Sequence, residues 1–312
     1  MSHSVLIADV GGTSARLALV GTDGIPTDIR ICRNDDFASL EALVEADLAA
    51  RGTAPSGAVL AVAGPADSDF VKLTNRAWSF SQAAMRRRFG WKSLTILNDY
   101  GALAHAAPAL AAGDLVAVGG GRADAKAPIV VCGPGTGFGV GALIRSPRTP
   151  VAVTGEGGLC RLGASTAEEA RLIAHLVRDL GPVAVEHALS GAGLARIHTI
   201  LTGETLTPEA VIVQAKRGDT ATLETCHVFL RLFGRIAGDL ALIFDARGGV
   251  FLAGGVSAAL APLIAASPFR EAFEEHPPHT ARLAATPVQA IIHPTPGLVG
   301  AGQVAARMAR KL

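Results

Sequence analysis

The chain has 312 residues, 49% of them hydrophobic and 18% charged, which is enough to bury a sizeable core in two domains or in one large one. Its 28 Lys and Arg residues nearly balance its 27 Asp and Glu residues, so the overall charge gives no reason to expect nucleic acid or an anionic membrane as a partner. The cysteines form no CxxC pair and no zinc-ligand spacing, which predicts a reducing compartment and no structural zinc.

The amino terminus, residues 1–4, has no basic segment, and the apolar run that follows is interrupted by Asp9 and two glycines. This pattern is not that of a signal peptide. No uninterrupted apolar stretch reaches the length that spans a bilayer. We therefore expect the protein in the cytoplasm.

A first glycine turn follows an apolar run at residues 5–8 and precedes another at 17–20, so a strand, a turn and a strand are predicted. The turn holds Gly11, Gly12 and Thr13. Glycine has no Cβ, so backbone N–H groups in such a turn can approach phosphate oxygens. The motif does not match a Walker loop, and a glycine-rich hairpin that binds nothing is the alternative. Asp9 favours a ligand site, because a carboxylate at the end of a buried strand needs a partner or a metal.

Short apolar runs then alternate with helical patterns, which predicts an α/β protein with at least partly parallel sheets. Residues 59–63 and 94–97 are predicted strands, and the second of these leads into Asn98 and Asp99. Ligand residues are expected at such strand ends. A helical stretch to about residue 112 and a flexible connection at the glycines 119–121 are predicted next.

The second glycine turn repeats the pattern of the first, with apolar runs at 129–132 and 140–144 on either side of it. A third pair of glycines follows a predicted strand at 248–252. Helices are predicted at 166–180, 219–244 and 298–310, and a helix, a loop and a strand within 267–290.

Three carboxylates are candidates for a catalytic or binding site. Asp99 could act as a general base, although Asn and Asp also commonly end strands at turns. Glu156 and Glu186 could accept hydrogen bonds from a ligand. The alternative for Glu156 is an exposed loop acid, and for Glu186 a solvated acid on a helix.

The motifs occur in a single order along the chain: residues 9–13, 73–78, 97–99, 133–139 and 156–158, Glu186 before 189–191, and 293–294 before 296–298. Together they resemble the bacterial glucokinases, a family of the actin-like sugar kinase superfamily, and the resemblance covers nearly the whole chain. It implies a two-domain actin-like ATPase fold (ribonuclease H-like, α/β) with a cleft between a small and a large lobe. The small domain would span 1–109, completed by a terminal helix at 297–312, and the large domain 110–296.

The resemblance also implies an activity, the ATP-dependent phosphorylation of a hexose, with the 6-hydroxyl of glucose as the leading acceptor. Asp99 would be the catalytic base. The implied substrate ligands are Asn98, Glu156, Glu186, Gly135 and Asn75. The implied ATP ligands are Asp9, Gly11, Gly12, Thr13, Gly133, Gly135, Thr136, Gly137, Gly254 and Gly255. Asp9 would act on Mg²⁺ directly or through water, and the family resemblance is compatible with a homodimer.

One departure from the family pattern affects the acceptor. After Glu156-Gly157-Gly158 the family typically has a sugar-binding histidine, where this chain has Leu159. A leucine side chain cannot hydrogen-bond, so recognition at the C1/C2 end of the sugar is open, and a kinase for another sugar or a cyclitol is the alternative. A non-catalytic sugar-responsive regulator is disfavoured, because Asp99 is retained and Asp9 starts the ATP motif close to residue 1.

Overall fold

A computed structural model describes residues 4–64, 67–74, 76–146 and 149–310. The chain forms two compact units, one of Met1–Leu110 with His293–Leu312 and one of Ala111–Ile292. The predicted bounds of a small and a large functional domain stay a prediction.

The elements are numbered in chain order. The strands are β1 (Val5–Val10), β2 (Ser14–Val20), β3 (Thr27–Arg33), β4 (Gly57–Val62), β5 (Phe70–Lys72), β6 (Ser79–Ser81), β7 (Ser93–Asn98), β8 (Leu115–Gly119), β9 (Ile129–Pro134), β10 (Phe138–Ile144), β11 (Val151–Gly155), β12 (Val250–Leu252) and β13 (Val288–Ile291). The helices are α1 (Leu40–Arg51), α2 (Gln82–Arg88), α3 (Asp99–Ala106), α4 (Ala167–Leu180), α5 (Val185–Ala188), α6 (Gly191–Thr202), α7 (Pro208–Lys216), α8 (Thr220–Ile243), α9 (Gly255–Ile264), α10 (Phe269–Glu274), α11 (Thr280–Ala285) and α12 (Pro296–Ala309).

The first unit contains a five-stranded sheet of order β3-β2-β1-β4-β7. Strands β1, β2 and β3 form an antiparallel meander, and β4 and β7 run parallel to β1. The carboxyl ends of β1, β4 and β7 therefore meet at one edge of the sheet, the edge where ligands are usually bound in α/β proteins.

Strand β1 is buried on both faces because its side chains alternate between two cores. Leu6 packs in a cluster with Leu43 of α1, whereas Ile7 packs in a second cluster with Leu298 of α12. Helices α1 and α12 thus cover opposite faces of the sheet, and α12 brings the end of the chain back to its beginning.

The second unit repeats the same pairing scheme in a six-stranded sheet of order β11-β10-β9-β12-β13-β8. Strands β9, β10 and β11 form the antiparallel meander, and β12 and β13 run parallel to β9. The duplication that the two glycine turns predicted is therefore present in the strand order as well. Strand β8 is an addition that pairs antiparallel with β13.

The core of the second unit is built around α8, the longest helix among the described residues. Phe233 of α8 makes edge-to-face contacts with Phe138 of β10 and Phe269 of α10, at centroid distances of 5.7 and 5.3 Å. Such aromatic pairs stabilise a core beyond the area that they bury. This packing connects the helical layer to the strand that follows the second glycine turn.

One prediction about residues 99–112 is wrong. The helix α3 ends at Ala106 and not near residue 112, because Pro108 in the 3₁₀ helix that follows has no N–H for an α-helical bond. Gly119 is the last residue of strand β8, and Gly121 N donates to the Ala285 carbonyl. The flexibility of residues 119–121 stays a prediction. Among the described residues, none of the helices combines the length and the apolar composition of a membrane span.

Candidate active site

The first glycine turn closes the hairpin between β1 and β2. Gly11 N donates to the Ser14 carbonyl at 3.1 Å, which fixes the turn, and Thr13 at its tip is exposed. The predicted strand, turn and strand are therefore present. The predicted phosphate contacts of Gly11, Gly12 and Thr13 stay a prediction.

Two side chains outside the hairpin hold this turn, and sequence reasoning did not assign them to the site. Asn34 Nδ2 donates to the carbonyls of Gly11 and Gly12, at 2.8 and 3.2 Å. Arg76 Nη1 donates to the Gly12 carbonyl at 3.1 Å. These contacts join residues far apart in the chain, so no local pattern could have revealed them.

Asp9 lies near the end of β1, opposite Arg16 of β2 in the antiparallel register. Its Oδ2 atom is 3.8 Å from Arg16 Nη1, a long ion pair. Burial raises the pKa of the Asp9 carboxyl above its ordinary value, and the Arg16 guanidinium opposes this to a smaller extent. The carboxylate also lies against the first turn of α12, where a Cβ built on Gly297 would be 2.6 Å from Oδ2. Gly297 is the third residue that sequence reasoning missed, although it stands within a quoted motif.

Asn98 and Asp99 lie at the predicted strand end, and the structure places that end at the same sheet edge as Asp9. The parallel registers align Asp9 with Ala61 and Ala61 with Leu97, so the strands end side by side. Asn98 caps α3: its Oδ1 accepts from the backbone N–H groups of Tyr100 and Gly101. This cap fixes the start of the helix, and Asp99, its first residue, is half-buried.

The second and third glycine motifs are in direct contact within the second unit. Gly254 has a φ of +95°, and a Cβ there would be 2.3 Å from the Pro134 carbonyl oxygen. Only glycine fits such a position without displacing the backbone. Gly135 itself donates to the Gly137 carbonyl at 2.8 Å and accepts from Gly191 N at 2.9 Å, at the start of α6. The turn is therefore held by its own hairpin and by a helix N-terminus.

Glu186 lies beside the second glycine turn and is not a solvated helix acid. A Cβ built on Gly137 would be 2.6 Å from Glu186 Oε2, and the residue is half-buried on the short helix α5. Glu156 is exposed and precedes a 3₁₀ helix over Gly157–Leu159. The two segments are joined, because Val185 N donates to the Cys160 carbonyl at 2.9 Å.

Asn75, a predicted sugar ligand, lies outside the described residues. Leu159 is 55% exposed, so its side chain is accessible to solvent in this loop.

Metal-ligand side chains do not cluster in the described part of the chain: it contains no group of three or more His, Cys, Asp or Glu residues placed to hold an ion. Asp9 is a single carboxylate at the predicted Mg²⁺ position. Mg²⁺ bound with a nucleotide often takes one or two protein carboxylates, with phosphate oxygens and water as the other ligands, so a single Asp fits this type of site.

Comparison with known proteins identifies the family. A family model described as Glucokinase matches residues 6–308. The chain belongs to the glucokinase family. It is 38% identical to a glucokinase of Chelativorans sp. over 99% of this chain and 93% of that protein. It is 39% identical to a glucokinase of Paramagnetospirillum magneticum over 96% of this chain and 97% of that protein.

The fold of this glucokinase-family chain matches a solved glucokinase from an Antarctic psychrotroph, with a TM-score of 0.88 and 30% identity. The match covers 97% of this chain and 99% of that one. The predicted family, the two-lobe actin-like α/β fold and the enzyme class, a hexokinase-type phosphotransferase with an alcohol as acceptor, are confirmed.

Proposed function

We propose that this protein transfers the terminal phosphoryl group of ATP to the 6-hydroxyl of glucose. The observation that carries this proposal is the position of Asp99, in a chain of the glucokinase family, at the sheet edge that also bears Asp9 and the first glycine turn. A carboxylate and a phosphate-binding turn at one edge are what an alcohol kinase needs.

Asp99 is the base in this proposal. Its carboxylate orients the 6-hydroxyl and takes its proton as the oxygen bonds to phosphorus and the bond to the leaving ADP breaks. The N-terminus of α3 favours the negative charge of this carboxylate. The Asn98 cap supports this role by fixing the backbone from which the Asp99 side chain projects.

In this proposal the phosphates are bound by the residues of the two glycine turns, through backbone groups and threonine hydroxyls. The turn residues are Gly11, Gly12, Thr13, Gly133, Gly135, Thr136 and Gly137, and Gly254 and Gly255 lie toward the adenosine. Asp9 would hold Mg²⁺ directly or through water, and the ion would neutralise charge on the phosphate oxygens when bound. The raised pKa of Asp9 supports this role, because a nearby cation offsets the free-energy cost of burying the carboxylate.

The sugar hydroxyls are bound in this proposal by the side chains of Glu186, Glu156, Asn98 and Asn75 and by the backbone at Gly135. Carboxylate oxygens accept from vicinal hydroxyls, which suits a hexose. The backbone hydrogen bond from Val185 N to the Cys160 carbonyl supports joint action of the two glutamates, because it connects the Glu156 loop to the segment that carries Glu186.

The test is the formation of glucose 6-phosphate from glucose, ATP and Mg²⁺, detected with a dehydrogenase specific for that product. We expect turnover with the parent protein and its loss on chelation of Mg²⁺. A panel of other hexoses and cyclitols is assayed by ADP release. Turnover of a cyclitol without turnover of glucose would contradict the proposed acceptor. A homodimer and a cytoplasmic location stay predictions, to be checked by light scattering and by fractionation.

A further inference from the structure

The carbonyl groups of the first glycine turn are held from outside the hairpin. Asn34 Nδ2 donates to the carbonyls of Gly11 and Gly12, and Asn34 N donates to the Thr13 carbonyl at 2.9 Å. Arg76 adds a second donor to the Gly12 carbonyl. All three successive carbonyls of the turn therefore have a donor from another segment.

Fixing these carbonyls also fixes the N–H groups that follow them. A trans peptide is planar, so its N–H points opposite to its C=O. The donors on Gly11 O and Gly12 O thereby set the direction of the N–H groups of Gly12 and Thr13, away from Asn34. Glycine peptides can adopt many orientations, so without these donors the turn would lose part of its preorganisation.

The side-chain amide of Asn34 donates hydrogen bonds but does not accept one from the described residues. The residue is fully buried, and its Oδ1 atom has no hydrogen-bond partner among the described residues. A buried carbonyl oxygen without a donor destabilises the fold, so an apolar residue of similar size would relieve that penalty. We therefore attribute the presence of asparagine at position 34 to the hydrogen bonds that its Nδ2 group donates, and not to a gain in fold stability.

Arg76 connects the turn to a second segment. Its Nη1 atom lies 2.8 Å from Asp35 Oδ1, and its guanidinium stacks 4.5 Å from the centre of the Trp78 ring. Asp35 follows Asn34 in the same 3₁₀ helix, and Trp78 is buried. The planar guanidinium can make these three contacts together, whereas a lysine ammonium is a point charge on a flexible stem.

We propose that Asn34 and Arg76 are positioning residues for the phosphoryl donor, which hold the N–H groups of Gly12 and Thr13 in the orientation that binds ATP phosphates. This inference rests on the proposed function. Neither side chain touches the nucleotide in this account. Both act through the peptide groups of the turn.

The experiment compares Asn34→Leu and Arg76→Met with the parent protein. Asn34→Leu removes the donor and the unpartnered oxygen together, and Arg76→Met keeps a stem over Trp78 while removing the guanidinium. We expect the Kd and KM for ATP to rise roughly 2- to 13-fold for each lost interaction. The KM for glucose and the affinity for adenosine, which has no phosphate, should stay within about twofold of the parent values. Arg76→Lys, which keeps one donor, should restore part of the loss.

Leu43→Ala is the matched control, because it opens a cavity in the hydrophobic cluster that contains Trp78 and does not change a residue that contacts the turn. It should lower the melting temperature and leave the affinity for ATP unchanged. Parent-like ATP binding in both Asn34→Leu and Arg76→Met, or an equal loss of adenosine binding, would overturn the positioning role. If Asn34→Leu does not fold, Arg76→Met and Arg76→Lys decide the question.

The two proposals fail in different ways. If the parent protein binds ATP but does not phosphorylate glucose, the proposed function is overturned. The Kd for ATP, measured by calorimetry, can still be compared between the parent and the variants. An active parent with unaffected variants overturns the positioning role alone. A parent that binds no ATP overturns both.

Discussion

The carboxylate of Asp9 lies against the backbone of Gly297, where a Cβ would come within 2.6 Å of both Cγ and Oδ2. Gly297 is the second residue of α12, so the positive end of this helix faces the carboxylate. That end favours the ionised form, whereas burial raises the pKa. The position of the terminal helix and the position of the proposed Mg²⁺ ligand are therefore coupled.

Gly297→Ala should displace the Asp9 carboxylate and lower kcat/KM for MgATP by roughly tenfold or more. The added methyl cannot be accommodated at 2.6 Å without movement, and such overpacking costs about 1–3 kcal/mol. Steady-state kinetics with varied MgATP and thermal denaturation measure the two effects.

The control is Gly21→Ala in the same unit, where an added Cβ would meet its nearest atom at an ordinary 3.7 Å. This variant should keep parent kinetics. Parent-like kinetics in Gly297→Ala, at a lowered melting temperature, would show that Asp9 tolerates the shift and is not tuned by this contact.

The glycine turns were predictable because their signal is local. Each combines an apolar run, glycines and a polar residue within about ten positions, and both hairpins form as predicted. The edge strand β3 was not predicted, because its residues are mostly exposed and contain no continuous apolar run. The contacts of Asn34 and Arg76 with the turn span 23 and 64 residues, and only tertiary packing creates them.

Asp99→Asn should lower kcat by roughly 10²-fold or more with little change in glucose binding, because an amide cannot take the proton of the 6-hydroxyl. The fold should persist, since Asn Oδ1 can still accept from Tyr100 N as Asp99 Oδ1 does at 2.9 Å. Asp69→Asn is the control: Asp69 also accepts from a backbone N–H, that of Ala83, and has no proposed role in catalysis. Turnover of Asp99→Asn within a few-fold of the parent would remove Asp99 from the mechanism.

Gly135→Val should weaken ATP binding by roughly tenfold or more, and its melting temperature should equal that of the parent protein. A Cβ at Gly135 meets no atom within 4 Å and the residue does not have positive φ, so the unliganded fold accommodates a side chain. The branched side chain would instead occupy space where the backbone must approach phosphate. Gly163→Val, at another open position of the same unit, is the matched control. Unchanged ATP affinity by calorimetry would mean that the turn is a structural hairpin.

His105 makes stability depend on pH. It is buried between α3 and α12, where its Nδ1 is 3.2 Å from Arg307 Nη2. Burial, with a smaller effect of Arg307, lowers its pKa from 6.5 to about 4. Between these values the unfolded chain binds a proton that the folded chain does not, so stability falls as the pH decreases from 6.5 to about 4.

The lost stability should amount to about 3 kcal/mol, and His105→Gln should abolish this part of the pH dependence. Glutamine keeps an oxygen acceptor for Arg307 and does not titrate. Urea denaturation of both proteins at pH 7 and pH 4 isolates the contribution of His105 as a difference. An equal change in the free energy of unfolding between pH 7 and pH 4 in the two proteins would contradict a neutral buried His105.

Leu159→His should sharpen discrimination at the C1/C2 end of the sugar. Leu159 is 55% exposed beside the Glu156 loop and offers no hydrogen bond, so the parent should reject analogues altered at the 2-position only weakly. The Nδ1 atom of His187 already accepts from Ala184 N at 3.2 Å, so only its Nε2 atom could replace the missing contact. A new contact should be worth about 0.5–1.5 kcal/mol, or roughly 2- to 13-fold in kcat/KM. The measurement is kcat/KM for glucose, mannose, glucosamine and 2-deoxyglucose with both proteins, and Leu159→Ala controls for loss of the side chain. A strong parental preference for glucose that the histidine leaves unchanged would show that another residue recognises this end of the sugar.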